Sequence, residues 1–217
     1  MKAVVYDEYT PNNDFKKILK LKDIDHPKPK SDEVIIKINT AALNYNDIWG
    51  MGGNPVPVPL PHISGSEASG EVTELGDAVT HLKVGDRVAV HCNISCRICV
   101  ECIEGREYNW ESRYVWGYQT GPLWGGFSEF THIPEINAVK IPDNVSFEQA
   151  SASMTLPTAW HMLIGRAKIQ PGQIVLIMGG SSGVGHYGIQ IAKLLGCTVI
   201  ATASPEKLDK LLQLGAD

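Results

Sequence analysis

Two groups of residues in this chain have types and spacings that could do chemistry. The first is Gly179-Gly-Ser-Ser-Gly-Val-Gly185, which follows the apolar run Ile174 to Met178 directly. Glycines at this spacing let a backbone approach a pyrophosphate, and a helix start beyond them offers unpaired N–H groups to its charge. Gly180, Ser181, Ser182, Gly183, Val184 and Gly185 are therefore candidate cofactor-binding residues, against the plainer reading of a glycine-rich loop that binds nothing. The second group is cysteine. Four of the five cysteines fall between Cys92 and Cys102, and Cys96, Cys99 and Cys102 recur at intervals of three. Such clustering suits a metal loop in a reducing compartment better than a disulfide scaffold.

The elements that must position these residues follow from periodicity. Ile174–Met178 reads as a buried strand, His186–Leu195 as a helix closed by Gly196, Thr198–Thr202 as a second strand and Pro205–Leu214 as a second helix. Strand, glycine turn, helix and strand make half of a dinucleotide-binding fold. A whole one needs about six strands, so the chain reads as a fragment of a longer polypeptide, or as one whose remainder is supplied elsewhere. Upstream, up to about Pro142, short strand-like runs recur at Glu33–Ile38, Ala68–Glu74, Arg87–His91 and Phe127–Phe130, with glycine- and proline-rich turns between them. That pattern predicts a compact β-barrel. Ser146 followed by Gln149 predicts a capping box, with helix through Ala152 and again from Thr158 to Ala167. The expected fold class is α/β, with a β-barrel domain at 1–147 and the first part of a nucleotide-binding domain at 148–217.

Composition narrows the partners. A net charge of -5 over 217 residues gives no reason to expect nucleic acid or an anionic membrane. No apolar run is long enough to span a bilayer, and the start Met1-Lys-Ala-Val-Val-Tyr-Asp7 lacks a signal-peptide core, so the chain reads as cytoplasmic.

Three motifs, His62-Ile-Ser-Gly-Ser-Glu-Ala-Ser-Gly-Glu-Val72, Val84-Gly-Asp-Arg-Val88 and the glycine turn, resemble the medium-chain dehydrogenase/reductase superfamily collinearly. The resemblance implies a GroES-like barrel followed by a Rossmann domain, with the active site in the cleft between them. Alcohol dehydrogenases of that superfamily hold a catalytic zinc with Cys, His and Cys. Those positions fall here at Asn44, at Ser66 and near Met154, with Glu67 left as a single carboxylate. Zinc needs about three good donors plus an open position to polarise an oxygen. The resemblance therefore implies no catalytic zinc and points to zinc-free members, which send hydride to the β-carbon of an unsaturated carbonyl compound.

A narrower likeness is carried by Asn44-Tyr-Asn-Asp-Ile-Trp49, Gly65–Gly70, Val90–Asn93, Arg113-Tyr-Val-Trp-Gly-Tyr-Gln-Thr120 and Gly125–Phe130, which look like crotonyl-CoA carboxylase/reductase. In that family the positions of Asn46, Tyr118 and Gln119 help to hold carbon dioxide beside the substrate. The family carries Glu where this chain has Gln119, which favours reduction without carboxylation. Asn46, Tyr118 and Gln119 are thus expected to line the substrate cleft, with water supplying the α-proton; the alternative has Trp116, Tyr118 and Phe127 as core aromatics.

The cofactor expected is NADPH. NAD-binding members place an acid at the end of the second strand, where this chain has Ala203 and Ser204. Ser204 and Lys207 are expected to face the adenosine phosphate, with Glu206 opposing them, and Thr158 to lie by the nicotinamide ribose. In the superfamily's structural-zinc lobe a fourth Cys would stand at Trp110. Cys96, Cys99 and Cys102 then either hold one structural zinc, recruiting Cys92, His91, Glu101 or water, or are a relic of free thiols. The substrate expected is a short acyl-CoA or an enone. A quinone or enone reductase and a catalytically silent NADPH-binding module are the rival readings, and a full-length form is expected to be a homo-oligomer.

Overall fold

The computed structural model describes residues 1–10, 14–110 and 114–217, so Arg113 of the aromatic string lies outside the described residues. The chain divides into two compact units, Met1–Ser153 and Met154–Asp217. Among the described residues no helix is long and apolar enough to cross a membrane.

The first unit opens with β1 (Lys2–Val5), the short helix α1 (Phe15–Ile18) and β2 (Lys20–Asp23), and the two strands pair antiparallel. Next come β3 (Glu33–Ala42), α2 (Tyr45–Gly52), β4 (Glu67–Leu75), β5 (Arg87–Val90) and β6 (Asn93–Ile94). They are followed by α3 (Val100–Ile103), β7 (Tyr114–Val115), β8 (Phe130–Pro134), β9 (Ala138–Lys140) and α4 (Phe147–Ala150). Five of these strands form one curled antiparallel sheet in the order β8-β3-β4-β5-β9. Val34, Ile35 and Ile36 of β3 are all wholly buried, as are Val72, Val88 and Ile133. A central strand covered on both faces reads as an unbroken apolar run rather than an alternation. Register irregularities at Ile35/Ile36 and Ile38/Thr40 bend β3 against β4. Gly70 lies at that bend, where an added Cβ would stand 2.1 Å from the Lys37 carbonyl oxygen.

The expected strand at Phe127–Phe130 is shorter than its residues suggest. β8 begins at Phe130, and Phe127 instead links β1 to the segment before β4: its N–H donates to Ser64 O at 2.9 Å and its carbonyl accepts from Val4 N at 2.8 Å. The capping box forms in both halves, with Ser146 Oγ accepting from Gln149 N at 3.2 Å and Gln149 Oε1 accepting from Ser146 N at 2.9 Å.

The second unit holds α5 (Thr155–Trp160), a π-helical stretch (His161–Arg166), β10 (Ile174–Ile177), α6 (Gly183–Leu194), β11 (Thr198–Ala201) and α7 (Leu208–Gln213). The two strands are parallel, with Ile174 opposite Thr198 and Ile177 opposite Ala201. The core is Ile189, Ala192, Cys197, Val199 and Leu211. Two helix boundaries differ from expectation. The helix expected from Thr158 begins three residues earlier, because Pro157 sits in its first turn, where no intrahelical N–H is needed. The helix expected from His186 begins at Gly183, because the Ser182 hydroxyl accepts from Gly185 N at 3.1 Å and caps it there.

Candidate functional site

Two of the positions to which the family likeness pointed, Asn44 and Ser66, are each hydrogen-bonded to a neighbouring side chain, Glu67 and Asn46 respectively. Asn44 precedes α2, and its amide donates to Glu67 Oε2 at 2.8 Å. Asn46, one residue into the helix, donates from Nδ2 to Ser66 Oγ at 2.9 Å. Asn46, Ser66 and Glu67 are all buried. The pattern Asn44-x-Asn46 on a helix start, opposite Ser66-Glu67 at the start of β4, thus forms two amide–oxygen pairs, one to a hydroxyl and one to a carboxylate. An amide nitrogen and a neutral hydroxyl are poor zinc ligands.

Asp47 holds this arrangement together, and sequence reasoning missed it. Its Oδ2 accepts from Asn44 N at 2.7 Å and its Oδ1 from Gly65 N at 3.0 Å, so one carboxylate fastens the start of α2 to the segment entering β4. Burial pushes the Asp47 carboxyl up from 3.8 to about 6, against the pull of those two N–H donors, and the neighbouring Glu67 adds to the rise. The available signal was Asn44 followed three residues later by Asp47, the spacing of a capping box.

Tyr118 and Gln119 sit on the loop after β7. The Tyr118 ring packs beside the buried cluster Tyr6, Ile18, Met51 and Val58 and against α2 at Gly50, where an added Cβ would meet it at 3.6 Å. Burial raises its phenol above the ordinary value. Gln119 spends its side-chain carbonyl on the loop itself, accepting from Val115 N at 3.1 Å. Trp116 is wholly buried, and Phe127 packs against Ala3, Val5 and Ile63, so these two aromatics are core residues. His62 pins the same loop from below. Its Nε2 lies 3.3 Å from Gly117 O and its Nδ1 3.1 Å from Pro59 O, and burial lowers its pKa. Gly117 itself has φ of +71°, and an added Cβ would stand 2.0 Å from Gly65 O. A cavity of about 700 Å³ in the same unit is lined by Ala3, Val4, Ile38, Ile48 and Phe127, with Asn44 and Asp47 at one side. Asn46, Tyr118 and Gln119 do not line it.

In the second unit the glycines divide their labour. An added Cβ at Gly185 would stand 2.3 Å from Gly179 O, and one at Gly180 would press on Ile189, Ala201 and Leu211 at about 3 Å. Both therefore serve close packing of α6 onto the strands. An added Cβ at Gly183 would meet the Thr155 side chain, nearest at Cγ2 at 3.1 Å, and with Val184 Gly183 occupies the first positions of α6, whose N–H groups have no partner within the helix. Beside them is a groove of about 340 Å³ that includes Ala159, Leu176, Met178, Ser182 and Val184. Ser181 is exposed on the loop before the cap. Thr158 is exposed on α5, its hydroxyl donating to Met154 O at 2.7 Å. At the end of β11, Ser204 does not stand open: its hydroxyl donates to Glu206 Oε1 at 2.5 Å, which holds that carboxyl below its ordinary range. Lys207 is exposed at the start of α7.

The cysteine lobe follows β6. The thiol sulfurs of Cys96, Cys99 and Cys102 lie within 4.8 Å of one another, and Cys96 Sγ is 3.7 Å from Cys102 Sγ. Arg97 takes φ of +59°, which turns the chain tightly enough for the N–H groups of Ile98 and Cys99 to reach the Cys96 sulfur. These hydrogen bonds, that from Ile98 foremost, bring the Cys96 thiol down to about 7. Of the fourth ligands considered from sequence, Glu101 is engaged by Arg106 at 2.9 Å and Asn109 at 3.3 Å. Cys92 is buried outside the cluster, and burial pushes its thiol up to about 12. Neither it nor His91 is among the clustered ligand atoms. Three close thiols are a chemically suitable donor set for zinc.

Comparison with known proteins places this geometry. Residues 30–143 match the Alcohol dehydrogenase GroES-like domain. The chain is 36% identical over 208 residues to a crotonyl-CoA carboxylase/reductase of Cereibacter sphaeroides, covering 91% of this chain and 48% of that protein. It is 33% identical over 217 residues to an acryloyl-coenzyme A reductase of Metallosphaera sedula, covering 100% of this chain and 63% of that protein. The solved structure of an NAD-dependent alcohol dehydrogenase superimposes with a TM-score of 0.92 at 37% identity, over 100% of this chain and 62% of that one. The chain thus spans about half to three-fifths of the length of these proteins. Its curled sheet, its strand–glycine–helix unit and these matches make it a member of the medium-chain dehydrogenase/reductase superfamily, with an alcohol dehydrogenase GroES-like domain at residues 30–143.

Proposed function

We propose that the chain carries the substrate domain and the first part of the nucleotide domain of an NADPH-dependent reductase. Its substrate in this reading is a short α,β-unsaturated acyl thioester of the crotonyl- or acryloyl-CoA type. One observation carries the reading: where zinc-dependent members hold metal donors, this chain has Asn44 bonded to Glu67 and Asn46 bonded to Ser66. Without a Lewis acid at that place, alcohol oxidation lacks its means of stabilising an alkoxide. Conjugate reduction needs only hydrogen-bond donors toward the carbonyl oxygen as it gains charge.

NADPH, when bound, supplies the hydride that adds to the β-carbon. The first N–H groups of α6, at Gly183 and Val184, are suited to hold its pyrophosphate, with Ser181 and Ser182 beside them. Asn46, Tyr118 and Gln119 border the substrate in this reading, the Asn46 amide exchanging its bond to Ser66 for the substrate. The electron pair of the double bond moves toward the thioester oxygen as an enolate, and the α-carbon then takes a proton from water. Lys207 supports the phosphate-bearing cofactor through its charge, whereas the Ser204–Glu206 contact supports NADH, so the cofactor needs a direct test. One zinc in the cysteine lobe, structural in role, completes the proposal.

The test is turnover of the polypeptide with NADPH or NADH against crotonyl-CoA, acryloyl-CoA, a quinone and a simple alcohol. Oxidation of NADPH by the two thioesters is the expected result. Preference for the quinone, for alcohol with NAD, or nucleotide binding without turnover would each replace the reading.

A further inference from the structure

We propose that the cysteine lobe is a three-thiolate metal site whose fourth coordination position is open to a ligand from outside the protein. The inference deepens the zinc reading above and rests on it. Its first support is the sulfur geometry. A tetrahedral ion with metal–sulfur distances of about 2.3 Å has ligand–ligand edges of about 3.8 Å, and Cys96 and Cys102 stand 3.7 Å apart before any ion is considered. Its second support is the turn that makes that spacing. With Arg97 in the left-handed region at φ of +59°, the chain doubles back between Cys96 and Cys99 and brings their sulfurs, with that of Cys102, within 4.8 Å of one another.

The third support concerns the fourth corner. Relatives with a complete lobe would have cysteine at Trp110, which here packs edge-on against Tyr114 with ring centroids 6.4 Å apart. Among the described residues, no histidine, cysteine or carboxylate joins the three sulfurs. Glu101, the nearest acid in sequence, is neutralised by Arg106 through both carboxylate oxygens at 2.9 and 3.2 Å. The cluster is also at the surface: Cys96 and Cys99 are half-buried, and the intervening Ile98 is 83% exposed. Zinc with three protein ligands keeps a position for water or another small ligand. A lobe that would otherwise be purely structural becomes, in this chain, able to take an exogenous thiol, imidazole or anion on the metal.

The metal-free chain is titrated with Co²⁺ under reducing conditions, and imidazole, then cyanide, is added while the visible spectrum is followed. One cobalt per chain, with thiolate charge-transfer bands that shift saturably on adding either probe, is the expected result. Trp110→Cys should bind cobalt about tenfold more tightly or better, equivalent to about 1.4 kcal/mol, and its bands should not move with either probe. Trp110→His serves the same purpose should the cysteine variant fail to fold, with folding judged by circular dichroism. Bands in the parent chain that ignore both probes would mean an internal fourth ligand: the zinc reading would stand and the open position would fall. Absence of stoichiometric cobalt binding would overturn both.

Discussion

The start of α2 with β4 and the cysteine lobe are built in different ways. At Asn44, Asn46, Ser66 and Glu67 two amides bond to a carboxylate and a hydroxyl, tying the start of α2 to the start of β4. In the cysteine lobe three thiols stand within 4.8 Å of one another, two of them 3.7 Å apart, across a tight turn. Local backbone turns position the thiols. A helix start and a distant strand require cross-links between those elements. Here amide–oxygen pairs and the Asp47 carboxylate provide them.

That contrast can be broken or sharpened by experiment. The largest effect is expected at Gly117, where the entry to β4 meets the loop of Tyr118. Gly117→Ala combines a left-handed backbone with a Cβ at 2.0 Å from Gly65 O, and should cost about 4 kcal/mol, the sum of strain and overpacking. Denaturant unfolding measures it, and a loss under about 1 kcal/mol would mean that the loop is not built against the strand entry. Next is the pH dependence of Asp47. Its carboxyl is raised from 3.8 to about 6 in the fold, so its contribution is complete below its ordinary value and is lost as pH rises through about 6. The parent chain should therefore lose up to about 3 kcal/mol of stability from about pH 4 to 7 that Asp47→Asn does not lose; parallel curves for the two proteins would remove Asp47 from this role.

The metal half of the contrast predicts a similar gain. Zinc at about a hundredfold excess over its dissociation constant should add about 2.7 kcal/mol to the lobe, seen as slowed amide exchange at Ile98–Glu104 and reversed by a chelator, with no change at Asn44–Asp47. Slowing at both places would erase the distinction. The smallest effect is expected at Asn46. Asn46→Ala removes one buried hydrogen bond to Ser66 and should cost about 1 kcal/mol in unfolding, while Asn46→Asp, which buries a charge and removes the donor to Ser66, should cost more.

What was legible in the sequence was what short-range chemistry determines. The apolar runs of β10 and β11, the glycine turn between β10 and α6 and the Ser146–Gln149 capping box each depend on neighbours within a few positions, and all appear in the structure. The start of α6 was misjudged because Gly183 and Gly185 look like loop residues until Ser182 is seen to cap them. Ser204 was expected to face the adenosine phosphate; its bond to Glu206, on which that role bears, depends on rotamers that spacing does not reveal. The family likeness pointed to Asn44 and Ser66 as positions of interest. The bonds they make were not legible, because Asn44–Glu67 and Asn46–Ser66 span 23 and 20 residues. The same distance hid Asp47, whose burial depends on Gly65, and Glu33, a buried acid bonded at 3.0 Å to His132 across 99 residues.

The Asp47 carboxylate has a consequence for how such a protein can change over generations. Because it fastens the start of α2 to the entry of β4 through backbone N–H groups alone, this part of the junction does not depend on which side chains stand at positions 44, 46 and 66. Substitutions there are buffered, since the local backbone holds its course whichever side chains it displays. A lineage with this carboxylate in place can exchange one chemistry for another at those three positions while passing through folded intermediates.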